Sequence, residues 1–200
     1  MKSAAGLLIF LILGGSLIVM GQKDADKGSG TPAAKGADKK ADKDQPKTAP
    51  VTIAGKPFTL ELAIDQKVQF KGLGDRTEIK PDGGMLFVFS KPEARAFVMR
   101  DCPIPIDIIY LDGSGRVVAT YKMTPEPPRS EAEKKLSLPY PSAPEWAAMN
   151  NDYEDRLKKY PSGFAAQFVI ELKGNTLDTL NVKKGDKIDF DIEGLKKLAK

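Results

Sequence analysis

Two carboxylates, a guanidinium and the chain's single cysteine fall together in Arg100-Asp101-Cys102-Pro103-Ile104-Pro105-Ile106-Asp107, a stretch whose neighbours look like core. Acid and base steps on an oxygen-rich substrate such as a glycan need two carboxyl groups, and Asp101 and Asp107 are the candidates, with Arg100 to hold the substrate. The same residues could bind a small polar ligand without turnover, or form a buried ion-pair network that pins a chain crossing. Asp107 opens a run with Ile106, Ile108 and Ile109, so it needs a partner or several amide donors to stay ionised. Phe97, Met99 and Tyr110 would rim such a site, and Arg76 and Glu171 are further members to consider.

Composition removes much other chemistry. The chain has no histidine, which excludes a Ser-His-Asp triad, a Cys-His dyad and the usual zinc and facial-triad iron sites. A lone cysteine makes no intramolecular disulfide; Cys102 is either a buried core thiol or a nucleophile activated by Arg100 alone. No phosphate-cradling loop, dinucleotide fingerprint or nucleophile elbow is present, and no aspartate cluster has ligand-loop spacing. No metal and no cofactor are expected.

The elements that must position these groups are strands. From Gly83 to Met123 the apolar, β-branched runs Met85 to Phe89, Ala96 to Arg100, Ile106 to Leu111 and Arg116 to Met123 predict consecutive antiparallel strands. Asp112-Gly113-Ser114-Gly115 predicts a tight hairpin, its glycines supplying positive φ. Pro103 and Pro105 lack backbone donors, so the chain between Cys102 and Pro105 crosses over or lies on a rim. Before this stretch, Phe58 to Ile64 alternates as a strand and Val68 to Phe70 is a short apolar run. After it, Ser142 with Glu145 suggests a capping box, and Trp146, Met149, Tyr153 and Leu157 at helical spacing predict a helix over 143–159 within a long proline-rich loop. Phe168, Ile170 and Leu172 would point inward from a strand over 166–172. Asn175 would cap a helical turn, and 187–192 would be the last strand.

At these residues the sequence resembles the domain of unknown function 192 family, also called uncharacterised protein family 0127. The resemblance rests on Gly84-Met85-Leu86-Phe87-Val88-Phe89, on Phe97 through Asp112, on Val169-Ile170-Glu171-Leu172 and on Lys184-Gly185-Asp186, in matching order over about residues 58–191. It implies a small β-barrel-like fold and no established activity. The family's Asn and Thr stand here as Asp101 and Cys102, and the Met of its G-L-M-x-R run stands as Gly74, between Gly72 and Arg76.

Residues 1–21 carry one lysine followed by an apolar run from Ala4 to Met20, the pattern of a secretory signal peptide, with an uncleaved N-terminal membrane anchor as the alternative. No cysteine follows the run, so lipoprotein anchoring is excluded. Residues 22–50 hold no aromatic, Leu, Ile or Val and predict a disordered linker. The first 50 residues hold 8 Lys and 5 Asp, which leaves 23 basic and 22 acidic residues in the remainder. A near-neutral folded part has no electrostatic source for phosphate-backbone binding, so no nucleic acid is expected.

The expectation is therefore a mainly β protein: a closed β-barrel or barrel-like sandwich of about seven strands at 51–200 with one helix near 143–159. It would be an exported module, periplasmic or extracellular, monomeric, and in contact with the membrane only through an uncleaved N-terminus. It would bind a small polar ligand or an envelope component through Arg100, Asp101, Asp107, Met99 and Phe97. The alternative is a carboxylate-based hydrolase of envelope polysaccharide, which requires the two carboxylates roughly 5–9.5 Å apart across an open cleft.

Overall fold

The computed structural model describes residues 47–199. The signal or anchor segment and the linker up to residue 46 lie outside the described residues, and the first strand begins at Thr48, inside the stretch expected to be linker. No helix of the described residues is long and apolar enough to cross a membrane.

Six strands form one mixed sheet: β1 Thr48–Ile53, β2 Lys56–Ala63, β3 Gly84–Phe97, β4 Ile106–Leu111, β5 Val117–Met123 and β6 Tyr160–Lys173. Their order is β1-β2-β3-β6-β4-β5, with β2 and β3 parallel and every other pair antiparallel. Three short helices accompany them: α1 Gln66–Lys71, α2 Asn151–Arg156 and α3 Ile192–Leu198.

The closed barrel of about seven strands is thus not formed, and the physical reason lies at the C-terminus. Closure requires the edge strands β1 and β5 to pair with each other or with a seventh strand between them. The expected strand over 187–192 makes only isolated bridges, Asp189 to Thr52 on one side and Lys187 to Arg116 on the other, before the chain turns into α3. Asp191 caps that helix, its carboxylate accepting from the Gly194 amide at 2.9 Å. The sheet stays open.

Neighbour relations along the organising stretch also differ from expectation. β3 runs unbroken through Phe97, so Ala96 to Arg100 is no separate strand, and β6 inserts between β3 and β4. The hairpin between β4 and β5 forms as expected. Asp112 closes it by accepting from the amides of Ser114 and Arg116 at 2.8 and 3.0 Å, and of the two glycines Gly115 takes the positive φ, 79°. The short run around Val68 becomes α1, capped by the Asp65 carboxylate on the Lys67 amide at 2.7 Å.

The continuous helix over 143–159 does not form either. A 3₁₀ turn covers Glu145–Ala147, and Met149 then pairs with Ser137 through two backbone bonds of 2.8 and 2.9 Å. α2 starts only after Asn150, whose side-chain oxygen accepts from the Tyr153 amide at 3.0 Å, and the Ser142 capping box is not used. Met149, Tyr153 and Leu157 are buried nonetheless, so the stripe packs inward although the helix is broken.

Both faces of the sheet are covered, which makes β4 and the inner half of β6 buried on both sides. One core gathers Leu60, Leu86, Ile109, Phe168, Ile170 and Leu172 beneath α3. The other gathers Met85, Phe87, Ile106, Ile108, Tyr110 and Val169 beneath the loops that carry Leu73, Ile79, Met99 and Cys102. The pleat puts alternate residues into opposite cores, and this decides which charged groups can meet.

Candidate functional site

The crossing from β3 to β4 separates the two aspartates. Ile106, Ile108 and Tyr110 of β4 face the core under the 72–79 and 99–102 loops, so Asp107 shares the other parity with Ile109 and Leu111. Its carboxylate accepts from the Leu177 amide at 2.7 Å, tying the loop after β6 to the sheet. Burial pushes its pKa up, against the pull of the Leu177 and Asn175 amides.

Asp101 lies on the opposite side of the sheet, at φ 51°, in the left-handed region that Asp tolerates better than most side chains. Arg129 grips its carboxylate with two bonds of 2.7 and 2.9 Å, and the Asp101 amide donates to the Tyr153 hydroxyl at 3.0 Å. Burial raises the Asp101 pKa, but the hydrogen bonds and charge of Arg129 outweigh it, and the net displacement is downward. Arg100 is equally committed: it bonds Glu154 at 2.6 and 2.7 Å, donates to the Phe70 carbonyl at 3.1 Å and lies over the Phe70 ring at 4.3 Å.

Phe97 and Met99 line no mouth. Met99 is buried, and Phe97 meets Phe87 and Tyr110 edge to face with centroids 5.0 and 5.8 Å apart. The outer half of β3 stays paired with β6 through Phe97 and Tyr160, with register shifts between Val88 and Glu93 and between Ala94 and Ala96. The five residues expected to converge therefore divide into Arg100, Asp101, Met99 and Phe97 on one face and Asp107 on the other. Asp101 and Asp107 thus serve different partners on different faces, Arg129 for the first and the Leu177 amide for the second.

One carboxyl group is not consumed in this way. Glu171 of β6 stands between Met85 of β3 and Ile108 of β4 in register, and is 5% exposed. Its Oε2 is the buried side-chain oxygen that, among the described residues, has no hydrogen-bond partner. Burial pushes its pKa up to about 8, with the Leu73 amide and the Arg76 charge pulling the other way, so it is largely protonated at neutral pH. An unpartnered buried polar atom costs about 1–3 kcal/mol, so its persistence calls for an explanation.

The loop from Gly72 to Arg76 forms the roof over Glu171. Gly72 ends α1 at φ 53° and ψ −138°, a conformation open to glycine, and a Cβ placed there would lie 3.5 Å from Phe87 Cζ and 3.6 Å from Glu171 Oε2. At Gly74 a Cβ would start 3.0 Å from the Lys71 carbonyl and 3.2 Å from the Arg100 carbonyl. The methionine of the family pattern would have to push these two loops apart, and the glycine lets them touch. The Asp75 amide donates to the Asp101 carbonyl at 2.7 Å, joining two residues that both have left-handed backbones. Arg76 closes the roof with two bonds to Glu61 of β2, 2.5 and 2.6 Å long, and Lys71 pairs with Asp75.

Cys102 borders the same place but is no nucleophile. Burial first, then nearby carboxylates, push its thiol up to about 12, and its Sγ lies 3.4 Å from the Arg100 carbonyl. Among the described residues no cluster of three or more metal-ligating side chains occurs.

The sequence reading missed Arg129, Glu154 and Tyr153 as the partners of Asp101 and Arg100. They lie 28 to 54 residues away in a proline-rich stretch, and nothing in local spacing announces such a pairing. Glu171 did carry a signal, as the lone carboxylate in the apolar run Phe168 to Leu172.

Comparison with known proteins adds the family. The family model of DUF192, described as an uncharacterised ACR, matches residues 49–190. The chain belongs to the DUF192 family. No curated protein matches it. Among solved structures, a proposed transcription regulator from Sinorhizobium meliloti is similar with TM-score 0.52 and 22% identity, over 72% of this chain and 92% of that one. A protein of unknown function from Novosphingobium aromaticivorans is similar with TM-score 0.51 and 26% identity, over 71% and 83%. This DUF192 domain has an open mixed sheet. The expected closed barrel module is replaced by that open sheet.

Proposed function

We propose that this DUF192 domain is a non-catalytic binding module that receives a small ligand beneath the Gly72–Arg76 loop, against Glu171. The observation that carries the proposal is the partnerless Oε2 of Glu171, buried under a loop with two glycines and held by side-chain latches at its rim. A ligand that supplied the missing partner would recover the desolvation cost of that oxygen. The other groups argue against turnover: Asp101 and Arg100 are bound in bidentate pairs, Asp107 caps a loop on the opposite face, and the Cys102 thiol stays protonated. The name of the Sinorhizobium relative points to transcription, but the helices among the described residues have six, six and seven residues and offer no recognition helix.

The test is a fragment screen on the full-length chain, read by backbone amide resonances. Binding at this site shifts the amides of Leu73, Gly74, Arg76 and Cys102. Shifts confined to the depression lined by Lys56, Phe58, Lys173, Asn175 and Leu180 would assign binding elsewhere and end the proposal.

A further inference from the structure

We infer that residues 136–138 pair edge to edge with the same residues of a second copy of this chain, forming a reversible two-fold dimer that is independent of the site at Glu171.

The backbone supplies the edge. Ser137 exchanges two bonds with Met149, its amide donating to the Met149 carbonyl at 2.8 Å and its carbonyl accepting from the Met149 amide at 2.9 Å. Backbone groups alternate sides along an extended chain, so those of Leu136 and Leu138 point away from Met149. Among the described residues, neither the amide nor the carbonyl of either leucine has a hydrogen-bond partner. The Asn150 side chain stops one residue short, on the Lys135 carbonyl at 3.0 Å. Every residue from 134 to 142 is exposed, with Leu136 at 53%, Leu138 at 40% and Tyr140 at 38%.

Free amides and carbonyls beside exposed leucines select the class of partner. A lipid surface offers apolar contact but leaves backbone groups at its hydrocarbon unpaired. An added extended strand serves the backbone and the leucines together.

Register selects a second copy. In an antiparallel pair centred on Ser137, that residue faces Ser137 of the second copy, and Leu136 and Leu138 face Leu138 and Leu136 of the second copy. Both leucine pairs then exchange two bonds and Ser137 takes the non-bonded position, the alternation that an antiparallel ladder requires. The leucines of both copies share one face. Charge agrees with this register. It sets Lys134 and Lys135 of one copy beside Tyr140 and Pro139 of the other, so no lysine meets a lysine. The missing amide of Pro139 lies on the Met149 side, so the dimer loses no bond to it.

The same features stop assembly at two. Pro139 and Pro141 end the strand, and a two-fold pair uses up the edge of both copies. Three residues a side make a small interface, and the dissociation constant is expected at about 0.01–1 mM.

The experiment is sedimentation equilibrium of the full-length chain over about a hundredfold range of concentration around that value, paired with hydrogen exchange at residues 136–138. The mass is expected to rise from one chain to two. Exchange at the Leu136 and Leu138 amides slows several-fold as dimer forms, while the Ser137 amide, already bonded to Met149, is unchanged. Leu138→Pro removes an outward amide that the fold does not use, and is expected to weaken association about tenfold or more at an unchanged melting temperature. The wild-type exchange pattern decides the matter even if the variant folds poorly. A single-chain mass at every concentration would overturn the proposal, and so would an oligomer that leaves the two leucine amides unprotected. Protection that does not vary with concentration would give the edge to another segment of the same chain. Protection gained only with phosphatidylserine vesicles would give it to a lipid surface, and either result overturns the second copy.

Discussion

Asp107 and Glu171 sit on adjacent strands, one residue out of register, and point into opposite cores: Asp107 pairs across from Leu172, and Glu171 pairs across from Ile108. One carboxylate was placed to satisfy a loop, and the other was left without a partner for one of its oxygens. The pleat thus decides that these two acids do separate jobs, although both are buried in the sheet's centre.

The Asp107 job is structural, and its removal should be felt as stability alone. Asp107→Ala leaves the Leu177 amide without its acceptor and should cost about 1–3 kcal/mol. Asp107→Asn keeps an oxygen in place and should cost less. Thermal or urea unfolding measures both, and neither variant should move the amides of Leu73 or Arg76. A variant that altered the roof over Glu171 would show that the two faces are coupled.

Glu171 should make stability fall as pH rises through neutrality. Its folded pKa of about 8 stands above the model-peptide value of 4.5, so between those values the folded state holds a proton that the unfolded chain has released. The contribution is fully present below about 4.5 and is lost as pH passes about 8, at a slope of about 1.4 kcal/mol per pH unit. Glu61 and Asp101 have the opposite sense: their pKa values are lowered, and their contribution is lost only as pH falls below the ordinary carboxylate range. The melting temperature should therefore peak on the acid side of neutrality. Glu171→Gln should flatten the decline from pH 5 to 8, and an unchanged decline would place the titrating group elsewhere.

Local chemistry was legible in the sequence where a turn or cap was built from neighbours. Asp112 and its glycine-containing turn predicted the β4–β5 pairing, and alternation from Phe58 predicted β2. Partner choice over long separations was not legible. β6 pairs with β3 and β4 across some sixty to ninety residues, and a strand buried on both faces has no alternation to read: Phe168, Val169, Ile170, Glu171 and Leu172 are all buried. The crossing at Pro103 and Pro105 was expected, but not that it carries the chain from a loop over one core to a strand whose Asp107 faces the other. Helical spacing from Trp146 to Leu157 misled because the Ser137–Met149 bridge and the Asn150 cap took over the backbone bonds that a helix would need.

Asp101 and Arg129 should couple energetically, since the pair joins the β3–β4 crossing to the long loop between β5 and α2. Arg129 is 14% exposed and also lies over the Tyr153 ring at 3.7 Å, so its guanidinium has little freedom to find water instead. A double-mutant cycle with Asp101→Asn and Arg129→Gln should give a coupling of about 1–2 kcal/mol. Asn also suits the left-handed backbone at 101, so that single variant tests charge without adding strain. Coupling near zero would show that packing of Tyr153, rather than the ion pair, holds this loop down.

Cys102 should report on the roof itself. Cys102 is 9% exposed and its thiol is held protonated up to about 12, so it offers a reagent little access and little thiolate. Alkylation at pH 8 should therefore be far slower in the native chain than in urea-unfolded chain. The Gly72–Arg76 loop packs directly on residues 100–102, so weakening its latch should speed the reaction. Arg76→Gln removes both bonds to Glu61 and is expected to raise the alkylation rate several-fold, while Asp107→Asn, which acts on the other face, leaves it unchanged. Equal rates in wild type and Arg76→Gln, at equal global stability, would mean that access to Cys102 and Glu171 requires more than release of this loop, and that the roof is part of the core.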